Sequence, residues 1–346
     1  MATYSIYNAD VNAERGEILA LALRNLPGMT EGRFRKYFDL NPIAPPRVIL
    51  ARDAASGAAV GMASLLPIDV VMGGRRVRGA IIGDFAVEEG HRGFGPARAI
   101  QRAAVAASAS GETAFILGMP NRAAERVIRR TGYADLGSFT RFVRPLRSRT
   151  LIHDATGRQL AARMLAPVAD AAVGLFDLSR RPARGTAVQH PRVFDDRFEG
   201  VWRAAHARHD VIPQRSADYL NWKYETDSDH SRYAILALTR DDEVLAYAVY
   251  RTTRGIRHVL DLVWRDGTDH LGAILVALLR DARAAHDEAI TILRLGYGDE
   301  LGRRLRRLAF IRRAESESVF VYVADPTLRA LAEPARWYLL AGDADI

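Results

Sequence analysis

Apolar residues recur at three- and four-residue spacing over residues 13–25 and 31–40, which predicts two helices separated at Gly28 and stopped by Pro42, Pro45 and Pro46. With a strand ahead of them, the pattern then changes to period two. Strands are predicted over 47–52, 60–71 and 77–87, joined by turns at 53–57 and at the glycines of 72–75. An alanine-rich helix over 96–108, a strand over 113–118, a helix over 121–130 and a strand pair over 134–146 complete the first half.

The same order returns farther along the chain. A short strand at 186–193 precedes helices at 195–208 and 216–225 and strands at 233–239, 244–251 and 258–264; a helix at 271–285, a strand at 290–295, a helix at 299–308 and a strand at 318–323 follow. The intervening stretch is rich in Arg, Ala and Pro and contains one amphipathic helix, at 159–178. The expected organisation is therefore a domain over residues 1–147, a helical connector over 148–184 and a second copy of the same α/β architecture over 185–346. No repeat is visible residue by residue.

Length adds little to this picture, since 346 residues suit roughly two domains. The absence of cysteine does more, because it excludes disulfide scaffolds, thiolate metal sites and cysteine nucleophiles. A formal charge of +8 favours anionic partners or a phosphorylated cofactor. Lys36 and Lys223 are the only lysines, so that charge is almost wholly guanidinium. No nucleic-acid motif accompanies the dispersed arginines. The start of the chain lacks a basic-then-apolar leader, and Arg163 and Asp170 argue against a membrane span at 159–178, so a cytoplasmic location is expected. His206 and His209 stand three apart in a predicted helix and read as surface histidines, with no metal expected.

Chemistry concentrates where the strand at 77–87 gives way to the alanine-rich helix. The sequence there is Glu88-Glu89-Gly90-His91-Arg92-Gly93-Phe94-Gly95-Pro96-Ala97, and Arg92 to Ala97 fits the pattern Gln or Arg, any two residues, Gly, any residue, Gly or Ala. Glycines let the backbone approach a pyrophosphate, and the following helix turns its positive end to the anion. Arg129 to Ala134 also fits, but it lies where a helix ends, so only the first match has the strand, loop, helix order. Asn121 opens the next helix and Gly132-Tyr133 closes it.

In these features the sequence resembles the GNAT superfamily of acyl-CoA N-acyltransferases over residues 1–146. The resemblance implies two GNAT-like α/β domains, each a mixed, mostly antiparallel sheet flanked by helices, the second one degenerate. It implies an acyl-CoA co-substrate, most often acetyl-CoA. Arg92, Gly93, Phe94, Gly95, Ala97 and Arg98 would surround the pyrophosphate, Phe85 and Val87 would lend backbone groups to the pantetheine, and Asn121 would lie beside them. Pro96 departs from a fully donating loop because it has no N–H.

An amine like that of lysine, with a pKa of about 10.4, costs roughly 4.6 kcal/mol to deprotonate at pH 7. A base is therefore required, and Asp84 and Glu88 are the candidates, with Asp84 preferred. Strand alternation puts Asp84 opposite Phe85 and Val87, with Arg75, Arg76 or Arg78 as competing partners for its charge. The family's tyrosine acid is replaced by Ile128. A thiol of pKa about 8.5 leaves tolerably as its thiolate without one. The expected reaction is direct attack, in a ternary complex, by the primary amine of a small molecule or amino sugar; a silent acyl-CoA sensor or scaffold is the alternative. In the second half, the corresponding loop lacks the pattern and carries Asp266 and Asp269, which repel a pyrophosphate, so no second CoA site is expected. Tyr219, Trp222 and Tyr224 form either a packed helix or a sugar-stacking platform.

Overall fold

The computed structural model describes residues 3–93, 95–109, 113–147, 185–225, 232–266, 269–296, 299–313 and 317–344. Phe94 and the connector over 148–184, with its expected helix, lie outside the described residues. The first half runs β1 Tyr4–Ala9, α1 Arg15–Asn25, α2 Glu31–Phe38, β2 Arg47–Asp53, β3 Ala59–Met72, β4 Arg75–Val87, α3 Pro96–Ala109, β5 Phe115–Gly118, α4 Arg122–Ile128 and β6 Ala134–Pro145. The second runs β7 Ala187–Gln189, α5 Arg197–Arg208, β8 Val211–Pro213, α6 Ala217–Tyr224, β9 Ala234–Arg240, β10 Glu243–Thr253, β11 Ile256–Trp264, α7 His270–Ala284, β12 Ala289–Leu295, α8 Glu300–Arg307, β13 Ile311–Arg313 and β14 Ser318–Val323. Two 3-10 turns and a short helix, α9 Ala341–Ala344, end the described chain.

Twelve strands form one continuous path, β1-β2-β3-β4-β5-β14-β6-β12-β11-β10-β9-β7, and β8 and β13 pair from its side. Pairing is antiparallel except for β4 with β5 and β11 with β12. The halves exchange strands. β14, from the end of the chain, lies between β5 and β6, pairing Val321 with Leu117 and Val319 with Gly137. The outer part of β6 in turn pairs with β12, Phe142 against Ile292. Chain order separates 1–147 from 185–346, but each half completes its sheet with a strand of the other.

Local sequence explains the helices that cover this sheet. Thr30 caps α2 by accepting from Arg33 N, and Phe34 and Phe38, one turn apart, stack at 3.9 Å as its buried stripe. With Ile18 and Leu21 of α1 they cover Met62 and Ala86 on one face of β3 and β4. Ile100 and Ala104 of α3 cover Val60, Leu65 and Ile82 on the other.

A buried ionic cluster ties the chain's end to the second half. Arg215, just ahead of α6, donates to Asp261 of β11 at 3.1 Å and to Asp343 of α9 at 2.8 Å, and all three side chains are buried. Lys223 adds a longer contact to Asp343, at 3.7 Å. Removing one partner leaves the others as uncompensated buried charges. Arg215→Met is therefore expected to lower stability by about 3–5 kcal/mol in guanidinium unfolding. An unchanged midpoint would contradict the cluster's role.

Candidate active site

β4 and β5 run parallel only from Ala80↔Ile116 to Ile82↔Gly118, and no other strand among the described residues takes up that edge of β4 beyond Ile82. On the opposite edge the register with β3 slips between Met62 and Ser64, so that Asp84 and Phe85 face the single residue Ala63. Asp84 sits in the left-handed region at φ +47°. Such a conformation is uncommon outside glycine, and short polar Asp tolerates it better than bulky residues do. The bulge falls just past the last residue of β4 that pairs with β5. The resulting cleft is flanked by Phe85 and Val87, which also pack toward α3.

The loop closing that cleft starts with a 3-10 turn, Glu89–His91, which Tyr4 steadies through a 3.1 Å hydrogen bond to His91 Nδ1. Arg92 turns back and donates from Nε to the carbonyl of Val87 at 3.0 Å. Gly93 and Gly95 have φ of +85° and +108°, and a Cβ on either would meet nothing within 4 Å. Positive φ, and not crowding, is what favours glycine at both positions. Pro96 is buried as the first residue of α3, whose N-terminus points at the loop, while Arg98 is exposed and Ala97 half-buried. Asn121 caps α4, its side chain accepting from Ala123 N and Ala124 N, just past the end of β5.

The two candidate bases differ sharply. Asp84 is half-buried on the face covered by α1 and α2, and burial pushes its carboxyl above the usual range, opposed by the Ser64 hydroxyl and the charge of Arg33. The Ser64 contact is loose, since this buried Oγ closes no well-formed hydrogen bond. Arg76 and Arg78, expected as possible partners of Asp84, instead pair with the buried Asp69. Glu88 is held by Arg24, which donates to one of its oxygens from Nε at 3.0 Å and from Nη2 at 2.8 Å. That oxygen of Glu88 is thus engaged in an ion pair. Ile128 is buried, its Cδ1 3.3 Å from where a Gly118 Cβ would lie, so hydrocarbon fills the tyrosine position. Burial also drives the Tyr133 phenol well up, which leaves it a poor proton donor.

The second half repeats the geometry and then fills it. β11 and β12 also part, after Val259↔Ile292. Residues 337–340 take up the vacated edge: Leu295 N donates to Leu339 O at 3.0 Å, Arg294 bridges Leu340, and Tyr338 reaches across to the carbonyl of Leu262 at 2.5 Å. Asp266 and Asp269 are ion-paired with Arg208 and Arg304. The His206–His209 pair departs from the surface reading. His209 stacks on Tyr338 with centroids 4.1 Å apart, and burial lowers its pKa to about 4; His206 packs edge-on against Trp202. Tyr219 and Tyr224 are buried and Trp222 is half-buried, donating to Lys36 O, so α6 is a packed helix.

No helix among the described residues is long and apolar enough to cross a membrane. No family model and no curated protein sequence matches the chain. Solved structures do. A GCN5-related N-acetyltransferase from Anabaena variabilis is 14% identical, with a TM-score of 0.67 over 93% of this chain and 73% of that one. One from Kribbella flavida is 16% identical, with a TM-score of 0.63 over 96% and 74%. The N-myristoyltransferase of Saccharomyces cerevisiae, solved with bound myristoyl-CoA, is 12% identical, with a TM-score of 0.55 over 93% and 82%. With a parted strand pair, a glycine loop and a helix start at its centre, the chain has the fold of the GNAT superfamily, as a tandem of mixed, mostly antiparallel sheets flanked by helices.

Proposed function

We propose that this chain is an acyl-CoA-dependent N-acyltransferase, acetyl-CoA being the expected donor and the primary amine of a small molecule the acceptor. The observation that carries the reading is the edge of β4 that β5 leaves beyond Ile82, which leads into two positive-φ glycines at a helix start. The co-substrate supplies an acyl group activated as a thioester.

The chain's own residues do the rest. Backbone amides around Gly93, Gly95 and Ala97, with Arg92 and Arg98 beside them, hold the diphosphate, though Phe94 lies outside the described residues. The edge of β4 at Phe85 and Val87 that no other described strand takes up offers main-chain groups to the pantetheine arm and N–H donors to the oxyanion that develops on the carbonyl, the Val87 carbonyl itself accepting from Arg92. Asn121 caps α4 at the same end of β5 and so shapes the cleft wall. Asp84, raised by burial, takes the proton of the acceptor ammonium directly or through water, and Glu88, tied to Arg24, serves the entrance. The neutral amine attacks the carbonyl carbon, the C–S bond breaks, and the second proton of the nitrogen passes directly or through water to the departing thiolate, giving the amide and the CoA thiol without a tyrosine.

Acetyl-CoA is expected to raise the melting temperature of the wild-type protein and to leave that of Gly95→Val unmoved, because the added side chain occupies the cradle. A thiol-release screen over small amines, aminoglycosides and amino sugars should then find at least one acceptor. Binding without thiol release on any amine would select the silent sensor, and no thermal shift at millimolar donor would defeat both.

A further inference from the structure

β4 and β5 are parallel, so the helices that follow them, α3 and α4, both begin at the end of the sheet where the glycine loop lies, and the two helices touch. Each carries arginines at four-residue spacing. Arg98 and Arg102 stand one turn apart on α3, Arg122 and Arg126 one turn apart on α4, and Arg130 follows in the turn after it; all five are exposed. α3 contains no acidic residue, and the one in α4, Glu125, accepts from Arg129 at 2.9 Å. Among the described residues none of the five guanidinium groups has an ion-pair or hydrogen-bond partner.

The second half supplies the contrast. α8 follows β12 as α4 follows β5, and it is equally rich in arginine. There Arg304 pairs with Asp269, and Arg303, Arg306 and Arg307 are engaged as well. α7, the counterpart of α3, is mostly buried. Unpartnered arginine rows thus occur on the half that has the glycine loop. They also outreach a small anion held at that loop, which faces only the first turn of α3. Arg102 lies six residues past Pro96, about 9 Å along the helix axis, and Arg126 and Arg130 continue the positive surface along α4. Like charges one turn apart repel, and an extended acidic surface relieves that repulsion in both rows at once.

We propose that α3 and α4 dock an acidic carrier protein that presents the acyl group as a thioester on a phosphopantetheine arm, the arm entering along the edge of β4 with its phosphate at the glycine loop. The proposal rests on the reading of that edge as the path of a pantetheine arm, and adds a second donor to it. Such an arm brings one phosphate and no adenosine, so protein contacts replace those of the nucleotide, and the exposed arginine rows supply them. Pro96, without an N–H, withdraws a donor that a second phosphate would use. The chemistry is unchanged: the amine nitrogen bonds to the carbonyl carbon, the C–S bond breaks, and the nitrogen's proton goes to the thiolate of the arm. Fluorescence anisotropy of a labelled acyl carrier protein with an acetylated arm, titrated with the full chain, should show saturable binding that weakens steeply with added salt. The double variant Arg102→Glu/Arg126→Glu should weaken it by about tenfold or more and keep the acetyl-CoA thermal shift. On the wild-type protein, acetyl-CoA should compete with the acetylated carrier, a readout that needs no variant to fold. Carrier binding without an acetyl-CoA shift would support the dock and defeat acetyl-CoA as donor. An acetyl-CoA shift without saturable carrier binding, carrier binding that the double variant keeps, or arginine-dependent binding of anionic vesicles or RNA but not of the carrier, would overturn the proposal.

Discussion

Replacing Asp84 by Asn is expected to lower kcat/KM for amine acylation by about 100- to 10,000-fold, the usual contribution of a positioned base, while raising the melting temperature at neutral pH. Both effects come from the same burial. Removing Asp84's hydration penalises its charged form and lifts its pKa. A carboxyl whose folded pKa lies above its unfolded value adds stability below the unfolded value and loses it as pH rises through the folded one. At neutral pH the wild-type fold therefore bears a desolvated carboxylate, which Asn lacks. Asn also tolerates the positive φ at this position. The melting-temperature gain of Asp84→Asn should thus be smallest near pH 4 and grow toward pH 7, and wild-type activity should rise with pH across the raised pKa. A variant that keeps full activity, or one that is destabilised at pH 7, would remove Asp84 from the role of base.

Residues 1–147 produced alone are expected to show no cooperative thermal transition, although they contain the whole acyl-CoA cradle. β14 supplies the strand between β5 and β6, and Val319, Phe320 and Val321 are buried there. Without it, the facing edges of β5 and β6 lose their backbone partners, and the outer part of β6 also loses β12. Exposed strand edges of this kind associate with one another. Circular dichroism against temperature checks the point; a sharp transition from the isolated segment would show that the exchanged strands are not required.

Much of the fold is legible in the sequence, because period-two alternation and helix stops are local signals. β14 is predicted over its observed residues, yet nothing local in Ser318–Val323 says that it completes the sheet of the other half. β8 and β13 have three residues each, too few to show a period. Residues 337–340 carry no strand pattern, and their place follows only from the parting of β11 and β12. At the site, the glycine loop and its helix start are read correctly as local structure, whereas the bulge at Asp84 depends on register with β3. The partner of Arg78 was within reach: a turn at Gly73-Gly74 sets Asp69 directly opposite it, which takes that arginine away from Asp84. Arg24 beside Glu88 and Arg33 near Asp84 come from helices folded over the sheet, a distance that spacing does not encode.

One open cleft and one filled cleft make a numerical forecast for a single titration. Calorimetry of the full chain with acetyl-CoA should give one site per chain, lost in Gly95→Val. Two sites, or a single site indifferent to that substitution, would show that the donor does not lie against residues 92–97.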